Sequence, residues 1–264
     1  MTSELAPHFT AHLDVHYRRE GEVMFGDARV QPALCVAGTT LPRVGVLAIY
    51  TDQCGGILAS ELGKSPLPTL DLSIHVFRAP RSTSLTFESR PLRVGRRLIV
   101  VETWVRAEGD PDPFAVGVQT HLSSPHASRE TNALERTLEQ LADEVEALDE
   151  PLVERAGMVV RAPGTAEVAI HPFVMNNLGM LHGGAIGLLA DLACESALGD
   201  DDHRVTGLDL RYLNAARVGP VRAVARTLRS DEAGTHLWVE MTDTGDADRL
   251  CMHALATTRR LEGA

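Results

Sequence analysis

Lysine is nearly absent: Lys64 is the only one, and arginine supplies the rest of the 25 basic residues. Against 36 acids this leaves a formal charge of −11 with no basic cluster, which argues against a nucleic-acid binder. The four cysteines, Cys35, Cys54, Cys194 and Cys251, are far apart and show neither a C-x-x-C pair nor zinc-like spacing. They read as small buried hydrophobes of a reducing cytosol. The 11 histidines show no metal-ligand spacing either, and no phosphate-binding or dinucleotide glycine loop is present. The expectation is therefore no metal and no bound cofactor. The N-terminus lacks an apolar signal core and no transmembrane run follows, so a cytoplasmic protein without membrane contact is expected.

What remains is an ordinary globular composition. With 264 residues, 44% hydrophobic and 23% charged, the chain can form one large domain or two of usual size. Its most distinctive stretch is Asn176–Leu198, NNLGMLHGGAIGLLADLACESAL. A glycine-bearing polar turn leads into a run apolar on all sides, which reads as a helix buried in a core. The run is too short for a bilayer, which needs about 20 apolar residues. Asp191 and Glu195 within it are costly unless paired, hydrogen-bonded or used. At its start, His182, Gly183 and Gly184 put unpaired N–H groups at the positive end of the helix, suited to an anion or a carbonyl oxygen.

Read in order, residues 1–20 form an extension or a peripheral strand, Val23–Val30 a strand, and Val44–Leu62 a helix. Strands follow at Thr69–Phe77, Ser84–Pro91, Arg97–Ala107 and Phe114–Leu122. Short turns and alternating, β-branched strands argue for an antiparallel sheet. Residues 123–150 carry leucines at helical spacing amid charges, an amphipathic linker helix. The first pattern then returns. Pro172 answers Pro32, Gly184 answers Gly45, Asp191 answers Asp52, and LDL at 208–210 repeats LDL at 70–72. Further strands are expected near Val221–Arg229, His236–Thr242 and Leu250–Arg260. A repeat of this length means two copies of one α+β domain, each a long apolar helix with an antiparallel sheet around it. The expected domains are residues 1–125 and 126–264.

The N-x-x-G-x-x-H-G-G turn (Asn176, Gly179, His182, Gly183, Gly184), with Asp191 nine residues after the histidine, resembles the hotdog-fold acyl-CoA thioesterases of the phenylacetate-pathway type. The preceding PLVERAGMVVRAPGTAEVAIHP is similar to that family's lead-in helix, loop and first strand. The resemblance implies a double hotdog in one chain that hydrolyses acyl-CoA, each site taking its turn from one half and its acid and hydroxyl from the other. Carried over residue by residue, it implies one complete site: Asn176, His182 and Gly183 with Asp52 and Thr69, and Gly184 beside the substrate. Gly183 N–H would receive the oxyanion, and Asp52 would act as general base or as nucleophile, which the residues leave open. The other site would be degenerate. Asp191 and Thr206 face a turn in which the histidine is Arg43, the asparagine is Val36 or Ala37, and Gly45 alone survives. Arg78, Arg81 and Arg217 are the cations expected at the coenzyme A phosphates. A dimer of double hotdogs is the expected assembly. The competing reading is a hotdog protein that binds acyl-CoA without cleaving it.

Overall fold

The computed structural model describes residues 9–64, 67–122, 147–176, 178–199 and 203–261. The linker helix read at 123–150 lies for the most part outside these.

In the first half, a short 3-10 turn at Phe9–His12 precedes strands β1 (Val15–Glu20) and β2 (Val23–Arg29) and helix α1 (Val44–Gly63). Strands β3 (Thr69–Val76), β4 (Ser84–Val94), β5 (Leu98–Ala107) and β6 (Ala115–Leu122) follow. The second half runs α2 (Leu152–Arg155), β7 (Val159–Ala162), β8 (Thr165–Val168) and α3 (Gly183–Leu198). It ends with β9 (Arg204–Tyr212), β10 (Val221–Asp231), β11 (Gly234–Asp243) and β12 (Arg249–Arg259). Residues 1–20, open in the sequence, thus supply an edge strand. Its His16, Arg18, Arg19 and Glu20 are exposed, the kind of charged edge that resists further pairing.

All twelve strands join one antiparallel sheet in the order β1-β2-β4-β5-β6-β3-β9-β12-β11-β10-β8-β7. The order reads the same from either end when each strand is exchanged for its repeat partner. The two halves meet at β3 and β9, where Asp71 pairs with Arg211 and Ser73 with Asp209. Burial alternates along the inner strands, as in β5, where Ile99, Val101, Thr103, Val105 and Ala107 point inward. A single buried face of that period is what holds the register.

The helices lie against the inward face, α1 on the first-half strands and α3 on the second, and they also pack on each other. Both are buried nearly all round, as the absence of a polar stripe requires. Their crossing is set by glycines used symmetrically. A Cβ on Gly45 would lie 2.7 Å from Leu188 Cα, and one on Gly184 2.8 Å from Ile49 Cγ1. Gly45 therefore has a packing reason to exist.

Candidate active site

Asp52 stands in the middle of α1, half-buried, and Thr69 opens β3. The Thr69 hydroxyl donates to Asp52 Oδ1 at 2.8 Å. In the other direction Thr69 Oγ1 lies 3.5 Å from Nδ1 of His121, a fully buried histidine on β6 paired directly opposite Thr69. Burial raises the Asp52 carboxyl above the ordinary range, and His121 and the Thr69 hydrogen bond pull it back. His121 is displaced the other way: burial lowers it, while Asp52 opposes that. Beside them Gln119, also fully buried, donates from Nε2 to the Thr51 carbonyl at 3.1 Å, while its Oε1 has no hydrogen-bond partner. An unsatisfied buried acceptor of this kind is uncommon and marks a place where a water or ligand atom fits.

The turn before α3 is held by its own side chains. Asn176 Oδ1 accepts the N–H groups of Leu178 at 2.9 Å and Met180 at 3.2 Å. Gly179 takes the left-handed conformation at φ +71°, which the missing Cβ makes inexpensive. His182 is the N-cap, and its Nδ1 accepts Gly184 N–H at 3.0 Å. Its ring is met edge-on by Phe9 at 5.1 Å, so the N-terminal 3-10 turn closes over this corner. Gly184 N–H, expected beside the substrate, is thus turned to the cap. Gly183 N–H differs: it is half-exposed at the first position of the helix and has no acceptor among the described residues.

Tyr212, at the end of β9, ties the two clusters together. Its hydroxyl donates to the Gly183 carbonyl at 3.2 Å, its ring lies 3.6 Å from where a Gly183 Cβ would stand, and burial and the Asp52 charge raise its pKa. The half-exposed N–H of Gly183 and the Asp52–Thr69 pair therefore flank one tyrosine, although 131 positions separate Asp52 from Gly183.

The equivalent corner around Asp191 is built differently. The hydrogen bonds of the two turns correspond, His182 N to Val174 O and Asn176 N to Met180 O matching Arg43 N to Leu34 O and Val36 N to Leu41 O. Val36, not Ala37, therefore stands where Asn176 does. Arg43, in place of His182, sends its guanidinium inward onto Glu195 and, at 3.7 Å, onto Asp191. Asp191 is raised from 3.8 to about 7, first by burial and then by Glu195, with Arg43 and the Gly45 N–H opposing. The pairing of β3 with β9 is centred on Ser73 and Asp209, so exchanging the two strands puts Thr69 on Val205 rather than Thr206. The Thr206 hydroxyl donates instead to the Thr257 carbonyl at 3.3 Å. Thr258, paired with Val205 beyond a bulge as His121 is paired with Thr69, takes the place of His121, and its hydroxyl accepts the Thr235 N–H. This corner has an acid with no hydroxyl bonded to it and no imidazole in the equivalent place, and a permanent cation fills it.

The arginines expected at phosphates separate. Arg78 is held by Asp110 at 2.6 Å and by the Asp112 carbonyl at 2.7 Å. Arg81 is exposed, with Asp110 3.9 Å away. Both follow the far end of β3, about 23 Å of extended chain from Thr69. Arg217 lies at the near end, donating from Nη1 to Leu178 O at 3.3 Å beside the Asn176 turn. A surface hollow lined by Glu88, Arg90, Glu102, Trp104 and Arg106 sits on the outward face of β4 and β5, its charges largely paired with one another. Among the described residues no group of three or more His, Cys, Asp or Glu is placed to hold a metal, and no helix is long and apolar enough to cross a membrane.

His121, Gln119 and Tyr212 were not singled out from the sequence. The first two share a legible signal, since alternation along Ala115–Leu122 puts Gln119 and His121 on the inward face with Ala115 and Gly117. Tyr212 carried no such mark, because its importance depends on which strand of the other half lies next to β9.

Residues 44–113 match the family model of the thioesterase superfamily, and residues 171–259 match that of the acyl-CoA thioesterase N-terminal domain. Together the two matches span more than half of the chain. No curated protein matches it. Among solved structures, the 12:0-ACP thioesterase of Umbellularia californica superposes with a TM-score of 0.64 at 10% identity, over 91% of this chain and 95% of its own. An acyl-CoA thioesterase II of Mycobacterium marinum gives 0.59 at 12% identity, over 97% and 99%. A hot dog fold protein of unknown function from Alicyclobacillus acidocaldarius gives 0.60 at 11% identity, over 98% and 100%. At such identities the superpositions establish the fold, and the sequence matches in both halves supply the class. The chain belongs to the hotdog-fold thioesterases and is a thioester hydrolase.

Proposed function

We propose that the protein hydrolyses acyl-CoA at one composite site shared by two fused hotdog domains, residues 1–125 and 126–264. The observation that carries this is the 2.8 Å Thr69–Asp52 hydrogen bond standing with the unpartnered N–H of Gly183 around Tyr212. The thioester carbonyl is placed against Gly183 N–H, where the start of α3 adds its dipole to the developing oxyanion. Asp52 then takes a proton from the attacking water, or itself attacks the carbonyl and is released by water; both routes use the same carboxylate. Thr69 orients that carboxylate. His182 and Asn176 act on the turn, the first capping α3 and the second fixing the loop with its oxygen, which leaves the Asn176 amide NH₂ for the substrate. Arg217, beside that loop, is the arginine of the three best placed for a coenzyme A phosphate. The Asp191 corner is silent because Arg43 occupies it. No cofactor takes part, and the working assembly is a homodimer in the cytoplasm.

Asp52→Asn is the deciding variant. Removing the group that takes the proton is expected to lower kcat/KM on a straight-chain acyl-CoA panel by about 10²- to 10⁴-fold, read as thiol release. Wild-type activity in that variant refutes the site. A wild-type protein that releases no thiol from any thioester, yet is protected against heat by acyl-CoA, would instead be a binding protein.

A further inference from the structure

The two acids of the repeat are faced by different groups. Asp191 faces Arg43, whose charge is permanent, across 3.7 Å. Among the described residues no arginine is paired with Asp52; the basic group within reach is a histidine, and it is reached through a hydroxyl. At the corresponding positions of the other half stand Val205 and Thr258, so the hydroxyl and the imidazole occur together only where no guanidinium fills the corner. His121 is fully buried, and its ring meets the Leu67 carbonyl as well as the Thr69 hydroxyl. A histidine placed so is expensive for packing alone, because an apolar side chain would fill the same inward position of β6 without burying two ring nitrogens.

We propose that His121 is a positioning residue of the proposed Asp52 site, acting through the Thr69 hydroxyl to keep Asp52 a carboxylate at neutral pH. This rests on Asp52 being the working acid. When Asp52 is ionised, Thr69 Oγ1–H donates to Oδ1, and Oγ1 accepts from Nδ1–H of His121. When Asp52 carries a proton on Oδ1, the chain runs the other way: Oδ1–H donates to Oγ1, and Oγ1–H donates to a bare Nδ1. Passing between the states moves one proton from Oδ1 to Oγ1 and one from Oγ1 to Nδ1. No proton enters or leaves, and the change is a separation of charge between carboxylate and imidazolium. A carboxylate whose burial favours protonation thus has a nearby base to hand its proton to. The ionisable groups around the pair act on it too. Asp71 on β3 faces His121 and favours its cation, while Tyr17 on β1 and Tyr212 on β9 border Asp52 with their own pKa raised. The arrangement titrates as a unit, so its acidic limb belongs to the pair.

The test uses His121→Asn, whose side-chain N–H can replace Nδ1–H but carries no charge, and His121→Phe, which supplies neither. With the acyl-CoA that wild type cleaves fastest, the acidic limb of the kcat/KM profile should move up by about one pH unit in both, because the cation that favours the carboxylate is gone. The plateau should fall further in His121→Phe than in His121→Asn. A structural histidine would lower Tm and leave the limb in place, and that result overturns the proposal. The His121 Cε1–H resonance, identified by its loss in His121→Asn, gives a readout independent of activity. Its titration midpoint should fall in Asp52→Asn, where the carboxylate that favours the imidazolium is absent, and an unchanged midpoint overturns the coupling. If Asp52→Asn hydrolyses normally, the proposed site itself is wrong; if it is inactive while the limb and the midpoint stay put, only the role of His121 fails.

Discussion

Replacing Asp191 by asparagine should make the stability of this protein less dependent on pH. Asp191 is 1% exposed, and its carboxyl is raised from 3.8 to about 7. The folded state therefore holds a proton between those two values that the unfolded state has released. Stability contributed by that bound proton is complete at about pH 4 and below, falls as pH rises, and is gone at about pH 7 and above. At about 1.4 kcal/mol for each tenfold change in proton affinity, the rise from 3.8 to about 7 sets an upper limit of about 4 kcal/mol. Glu195 and Arg43 share the titration, so about 2 kcal/mol is the working expectation. Asparagine keeps the volume and has no charge to bury, and Arg43 retains Glu195 as its partner. Urea unfolding of wild type and Asp191→Asn at pH 5, 6, 7 and 8 measures the difference. The variant should gain on wild type between pH 5 and 7 and level off by pH 8, by about 2 kcal/mol in total. Two parallel curves would refute the account of this corner as a strained, partly compensated acid. Thioesterase activity should stay at the wild-type level, and a loss as large as that of Asp52→Asn would reverse which acid does the work.

Thr69→Val should lower kcat by about 10- to 100-fold with little change in fold, since it removes one hydrogen bond to a charged group worth about 1.5–3 kcal/mol; an unaffected rate would separate Thr69 from catalysis. Gly55→Ala should destabilise the protein by about 1–3 kcal/mol, because the added Cβ would stand 1.5 Å from Gln119 Nε2 where α1 crosses β6. Shortening Gln119 to alanine in the same chain should recover part of the lost Tm, and additive losses would place the strain elsewhere.

The chain order of elements was legible because each carries its own period. α1 extends from Val44 to Gly63 against an expected Val44–Leu62, and β3 to β6 begin within one residue of the alternating runs that announce them. The HGG turn was legible because its chemistry is local: a histidine just before the helix is within reach of the free amides of its first turn, and it caps that of Gly184. Less of the Asp191 corner could be read. Thr206 is the nearest hydroxyl in an ungapped comparison, yet strand register makes Thr206 the bulged residue and gives the place of Thr69 to Val205, which has no hydroxyl. Gly45 looked like the remnant of a second turn, and it is a contact point between helices.

By itself the sequence determined the repeat, the antiparallel α+β plan, the family and the two acids in equivalent places, all of which follow from short-range pattern. Only the tertiary structure decided what neutralises each acid. That depends on which strand lies beside which across the sheet, and so on residues as distant as Asp52 and His121, or Arg43 and Asp191. Permanent charge fills one corner and a hydroxyl with a buried imidazole fills the other, because burial makes an unpaired carboxylate too costly to leave alone in either.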